Sequence, residues 1–132
     1  MDTGAKQQPI LVVEDDVALL DAIGRTFREA GRSVVACSSF EEGRRALRTQ
    51  RFAAVLTDVR LGAFNGLQLA VIARDLQPDM PLIVYSGFDD PVLRAEAEHL
   101  RAVYLVKPVS PAQLLHLLEA QTRVPESKDA ST

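Results

Sequence analysis

Apolar residues along this chain follow two rhythms in turn. Five short, continuous runs rich in β-branched residues read as buried strands: Pro9–Val13, Ser33–Cys37, Phe52–Asp58, Pro81–Ser86 and Val103–Val106. Between them apolar residues return every three or four positions, the spacing of one helical face. Leu20, Ile23, Phe27 and Ala30 mark helix one, and Gly31 stops it. Ser39 with Glu42 forms a capping box for a helix through about Thr49, which the internal Gly43 makes the weakest of the set. Leu69, Ala70, Ala73 and Leu76 mark helix three after the turn-rich stretch Leu61–Gly66, and Pro78 closes it. Asp89 or Asp90 caps a helix that starts at Pro91 and runs to about Leu100. Ser110 caps Pro111 in the same way, and Leu114, Leu117 and Leu118 drive the last helix.

Strand and helix therefore alternate five times. Apolar strands in that arrangement imply a parallel sheet covered by helices on both faces, a doubly wound α/β fold. A chain of 132 residues holds one such core. The domain is expected over residues 9–121, with flexible polar tails at 1–8 and 125–132.

Composition narrows the function classes. A net charge of −3 offers no basic field for nucleic acid. No apolar run approaches the length of a membrane span and the N-terminus lacks a signal-peptide core, so the expected location is the cytoplasm. Cys37 is the single cysteine, which excludes an internal disulfide, and its apolar neighbours mark it as a small core residue.

The chemistry lies at the strand ends. Strand one closes on Glu14-Asp15-Asp16, strand three on Asp58, strand four on Ser86 and strand five on Lys107. Right-handed crossovers put these ends on one edge of the sheet, where open α/β sheets bind ligands. Clustered carboxylates repel, and a divalent cation relieves that repulsion; oxygen ligands without His or Cys favour Mg²⁺ over zinc. Asp16, placed to cap helix one, points away from such an ion.

These residues resemble the receiver domain of two-component response regulators. The motifs are an acidic pair after strand one (Glu14-Asp15), an aspartate after strand three (Asp58), Ser-Gly after strand four (Ser86-Gly87) and Lys-Pro after strand five (Lys107-Pro108). The resemblance implies a flavodoxin-like (βα)5 fold with strand order 2-1-3-4-5. It further implies that Asp58 is a phosphoacceptor for a histidine kinase or histidine phosphotransfer protein, within a domain that supports its own phosphorylation and dephosphorylation. It implies Mg²⁺ held by Asp15, Asp58 and the Arg60 backbone carbonyl, with Glu14 acting mainly through water. Lys107, Ser86 and the backbone of Arg60 and Gly87 would hold the phosphoryl group.

The resemblance also implies a switch. Ser86 would move inwards to the new phosphoryl oxygens and Tyr104 would turn in behind it. The change would be read by a downstream partner on helix four, strand five and helix five, where Arg94, Glu98, Arg101 and His116 are exposed candidates. The protein would act as a monomer or a phosphorylation-dependent dimer, alone or as part of a hybrid kinase or longer regulator.

In the family the Lys-Pro bond is cis. Three positions depart from or specialise the pattern: Gly62 stands where proline is common, Leu100-Arg101-Ala102 replaces a Gly-Ala at the end of helix four, and Arg60 and Phe88 flank the phosphoryl site. Three other readings compete. A flavin binder would need a Ser/Thr/Gly-rich loop where Glu14-Asp15-Asp16 stands, and a dehalogenase-like phosphatase would need a carboxylate at Arg60. A degenerate receiver, binding proteins without phosphorylation, would lack a site residue.

Overall fold

The computed structural model describes residues 8–122, so the tails expected at 1–8 and 125–132 fall, Gln8 apart, outside the described residues. The strands are β1 (Ile10–Val13), β2 (Val34–Cys37), β3 (Ala54–Asp58), β4 (Leu82–Ser86) and β5 (Val103–Val106). The helices are α1 (Val17–Glu29), α2 (Phe40–Thr49), α3 (Gly66–Leu76), α4 (Pro91–His99) and α5 (Pro111–Thr122). The strands form one parallel sheet in the order β2-β1-β3-β4-β5, as the resemblance implies.

Alternation along each strand divides the core in two. Ile10, Val12, Leu56, Ile83 and Tyr85 meet Leu20, Ile23 and Phe27 of α1 and Leu114 and Leu118 of α5. On the other face Leu11, Val13, Val55, Leu82 and Val84 meet Leu47 of α2, Leu69 and Ala73 of α3 and Ala97 of α4. Burying each large aliphatic or aromatic side chain stabilises the fold by about 1.5–3 kcal/mol. Cys37 is buried as expected. Gly43 lies buried against Val13 and Leu69, so the residue that weakens α2 as a helix lets it sit close on the sheet.

Caps fall where the polar residues predict. Asp16 accepts from the Leu19 N–H, Ser39 from Glu42, Asp90 from Val92 and Leu93, and Ser110 from Gln113. Four details differ. Ala30 and Leu76 are exposed; α1 ends at Glu29 with Ala30 as its C-cap, and α3 buries Leu67 instead. Phe52 is buried but outside β3, because the Gln77 side chain takes both its N–H (2.8 Å) and its C=O (3.0 Å) in place of a sheet neighbour. The stretch after β3 is a small antiparallel hairpin, Arg60–Leu61 with Phe64–Asn65, before the helix. Its two-residue turn starts at Gly62 with φ +62°, a left-handed position that glycine adopts freely and proline cannot.

The end of α4 explains the absent Gly-Ala. Arg101 itself takes the left-handed position after the helix (φ 59°), and the Ala102 N–H returns to the Ala97 carbonyl at 2.8 Å. That conformation costs a side-chain-bearing residue roughly 1–2 kcal/mol. The Arg101 guanidinium, 2.9 Å from the Pro78 carbonyl, helps to offset it.

Candidate functional site

Strand register brings the predicted residues to one edge. Val13 pairs with Thr57, Asp58 with Tyr85 and Ser86 with Val106, so Glu14, Asp58, Ser86 and Lys107 end neighbouring strands. Glu14, Asp58 and Lys107 line a cavity of about 360 Å³ together with Asp15, Arg60 and Phe88, whereas Ser86 does not line it. Gly87 lines it too, and a Cβ there would meet nothing within 4 Å.

Asp58 is 4% exposed. Its Oδ1 accepts from the Arg60 N–H at 3.1 Å and its Oδ2 from the Lys107 ammonium at 3.0 Å. Lys107 Nζ also stands 3.6 Å from Glu14 Oε1. The Lys107-Pro108 peptide is cis. Burial pulls the Lys107 amine down, but the hydrogen bond and charge of Asp58, with the charge of Glu14, outweigh it and leave a net upward shift.

Glu14 is fully buried, and its Oε2 accepts from the Asp16 N–H at 3.0 Å. Burial lifts its carboxyl to about 7; the Asp16 N–H and Lys107 pull it down while the charge of Asp58 pushes it up. Asp15 is exposed, and its Oδ2 accepts from the Gly62 N–H at 3.2 Å, which ties the hairpin turn to the acidic pair. Oxygens of Glu14, Asp15 and Asp58 lie within 4.8 Å of one another. That spacing and all-oxygen chemistry fit a hard divalent cation, and Lys107 supplies the positive charge that the buried pair otherwise lacks. Asp16 remains at the rim, engaged as the cap of α1.

The two residues implied as a switch both hold Phe88. The Ser86 hydroxyl accepts from the Phe88 N–H at 3.1 Å, and the Tyr104 hydroxyl donates to the Phe88 carbonyl at 2.8 Å. Tyr104 is only 7% exposed in this structure. Arg94 of α4 stacks on its ring at 4.8 Å and pairs with Asp89, so this candidate surface residue is committed locally. Glu98, Arg101 and His116 are exposed, as expected. Over the mouth, the Arg60 guanidinium lies 5.0 Å from the centre of the Phe88 ring.

Two residues at or near the site carry no mark in the sequence pattern. Tyr85 reads there as one more apolar position of a strand, and only its register opposite Asp58 brings it to the acids. Gly66 reads as turn punctuation, whereas its N–H donates to the Val59 carbonyl at 2.6 Å and its α-carbon packs on the backbone of Asp58.

Residues 10–119 match the response regulator receiver domain family, and the chain belongs to it. It is 31% identical over 126 residues to the transcriptional regulatory protein PrrA of Mycobacterium tuberculosis, covering 93% of this chain and 53% of that one. It is 34% identical over 113 residues to the alginate biosynthesis transcriptional regulatory protein AlgB of Pseudomonas aeruginosa, covering 85% of this chain and 25% of that one. The chain thus spans about a quarter to about half the length of these regulators. Among solved structures, a CheY-like receiver domain protein from Methanospirillum hungatei superposes with a TM-score of 0.84 at 27% identity, over 92% of this chain and 98% of that one. A receiver protein from Sinorhizobium medicae gives 0.79 at 28% identity, over 91% and 98%. The chain is a receiver domain homologous to those of two-component response regulators, and its acidic pocket fits a phosphoacceptor site. Among the described residues no helix is long and apolar enough to cross a membrane.

Proposed function

We propose that Asp58 is the phosphoacceptor of this domain in a Mg²⁺-dependent phosphorelay. The reading is carried by one observation: a buried carboxylate, 3.0 Å from a lysine ammonium, shares its cavity with two further acids whose oxygens lie within 4.8 Å. An Asp58 oxygen bonds to phosphorus as the bond to a histidine nitrogen, or to the acyl oxygen of a small acyl phosphate, breaks; the electron pair leaves with that group. A carboxylate nucleophile needs no general base, so positioning and charge neutralisation do most of the work.

When bound, Mg²⁺ offsets negative charge on the transferring group. Asp15, Asp58 and the Arg60 carbonyl would hold it directly, and Glu14 through water. Lys107 exchanges Asp58 for a phosphoryl oxygen, and the Ser86 hydroxyl and the backbone of Arg60 and Gly87 take others. For Ser86 that requires giving up the Phe88 N–H, which loosens the loop that Tyr104 holds by its other end. The output face is α4, β5 and α5, where Arg94 must release Asp89 or Tyr104 before it can bind a partner. The donor is a cytoplasmic histidine kinase or phosphotransfer protein. Every residue of the motif set is in place, which favours this reading over a receiver that binds proteins without phosphorylation.

Mass spectrometry after incubation with acetyl phosphate and Mg²⁺ tests the acceptor. One phosphoryl group is expected on the parent and none on Asp58→Asn; labelling that survived the substitution would move the acceptor elsewhere.

A second expectation concerns pH without the cation. Below about 4.5 the Glu14 carboxyl is protonated in both folded and unfolded chains, and the raised folded value of about 7 then adds its full stability. As pH rises through that interval the unfolded chain ionises first, and the folded chain must follow in a buried site. Cation-free protein should therefore lose about 1–2 kcal/mol between these values, a figure reduced for the open mouth of the cavity. Mg²⁺ should return it by binding the folded state alone. Thermal unfolding of the parent beside Glu14→Gln from pH 5 to 7.5 is the check: equal slopes for the two proteins would refute it.

A further inference from the structure

Among the described residues two buried side-chain oxygens have no hydrogen-bond partner, Glu14 Oε1 and the Tyr85 hydroxyl. They are complementary. One is a carboxylate oxygen that can only accept while ionised, the other a phenol with a proton to give. Both residues are fully buried, and Tyr85 lies on the face of the sheet that it shares with α1 and α5. Burial and then the nearby charge of Glu14, followed by that of Asp58, hold the phenol proton on far above the usual tyrosine range, so the group remains a donor beside the acids. Leaving either atom unpaired costs roughly 1–3 kcal/mol.

Lys107 does not meet that need. Its Nζ is committed to Asp58 at 3.0 Å and stands 3.6 Å from Glu14 Oε1, beyond hydrogen-bonding range, while 5.4 Å above the centre of the Tyr85 ring. Glu14 is thus held by the Asp16 N–H on one oxygen and lacks a fixed donor on the other. A carboxylate that serves a cation needs such a donor to fix its orientation, and losing an outer partner of this kind commonly costs 10–100-fold in metal affinity.

We propose that Tyr85 is a positioning residue of the cation site: its hydroxyl, unpartnered in this structure, turns to donate to Glu14 Oε1 when the cation binds and orients that carboxylate towards the ion. The inference rests on the reading of Glu14, Asp15 and Asp58 as that site. Tyr85 touches neither phosphoryl group nor cation; it acts through Glu14.

The test uses the full chain and Mg²⁺ alone, with binding measured by calorimetry. Tyr85→Phe keeps the ring in the core and removes one oxygen, and it should weaken Mg²⁺ binding about tenfold. Glu14→Gln should weaken it as well, and adding Tyr85→Phe to that background should do little more, because the oxygen to be oriented is already changed. With Tyr85 in place, the resonance of its ring carbon next to the hydroxyl should shift on Glu14→Gln and, in the parent, on addition of Mg²⁺. This readout needs no folded Tyr85→Phe protein. Parent-like affinity in folded Tyr85→Phe, or a Tyr85 resonance indifferent to both changes, would overturn the role of Tyr85 and leave the cation site standing. A parent that failed to bind Mg²⁺ would overturn both.

Discussion

Gly66→Ala is expected to lower the thermal midpoint by roughly 10 °C or more and to abolish phosphoryl labelling in whatever fraction stays folded. A Cβ at this position would stand 1.9 Å from the Asp58 carbonyl oxygen, 2.9 Å from its carbon and 3.0 Å from Thr57 Oγ1. No rotamer relieves such a clash, because the obstacle is backbone. Overpacking a core costs about 1–3 kcal/mol and more where backbone must move, and for a domain of this size each kcal/mol removes about 4 °C. The backbone displaced is that of the proposed acceptor, next to the Gly66 N–H bond to Val59 that anchors α3 against β3. Stability and chemistry should fail together. Differential scanning calorimetry with labelling of the same sample decides it, and a midpoint within 3 °C of the parent would show that α3 slides aside freely.

Arg74→Ala is expected to cost about 2–4 kcal/mol, with the end of α4 opening first. The guanidinium of this α3 residue donates to five backbone carbonyls: Leu100 at 2.9 Å and Arg101 at 3.3 Å beyond α4, and Gln77 at 3.4 Å, Pro78 at 2.7 Å and Met80 at 2.7 Å before β4. Bonds from a charged donor are the stronger kind, and removing it strands acceptors at a helix end that has few other partners. The left-handed Arg101 loses a support at the same time. Arg74→Lys should recover little, since an ammonium cannot reproduce a planar fork that reaches two segments. Hydrogen exchange should show faster opening at residues 100–102 than in β1 or β3; uniform protection equal to the parent would remove the clamp from the account.

Arg60 and Phe88 meet over the mouth of the cavity. A cation stacked on an aromatic ring at 5.0 Å bridges the loops after β3 and β4, and the second of these carries the proposed Ser86 movement. Tyr104, Ser86 and Phe88 form one connected unit on the β4 side of that bridge. In the proposed switch a change at Asp58 would reach α4 through the peptide groups of Phe88, which Ser86 and Tyr104 both hold.

Much of this molecule can be read from its sequence. The change from continuous apolar runs to helical spacing fixes five strands and five helices, and local chemistry places the caps at Asp16, Ser39, Asp90 and Ser110. The charged residues that end strands are legible for the same reason: each is an interruption at the end of an apolar run. Local pattern also misleads at Ala30 and Leu76, where helical spacing continues past the point at which the helix leaves the sheet.

What the tertiary structure alone decides is everything that depends on register and on long-range partners. Tyr85 is apolar by pattern and reaches the acidic row only because Asp58 pairs opposite it. Arg74 lies outside the apolar stripe of its helix and becomes a clamp because residues 26 and 27 positions later follow α4 beside it. Gln77 substitutes for a strand at Phe52, 25 positions away. Hydrophobic periodicity is a property of neighbours along the chain, whereas hydrogen-bond satisfaction of buried groups is a property of neighbours in space. The first is written in the sequence; the second exists only once the sheet has closed.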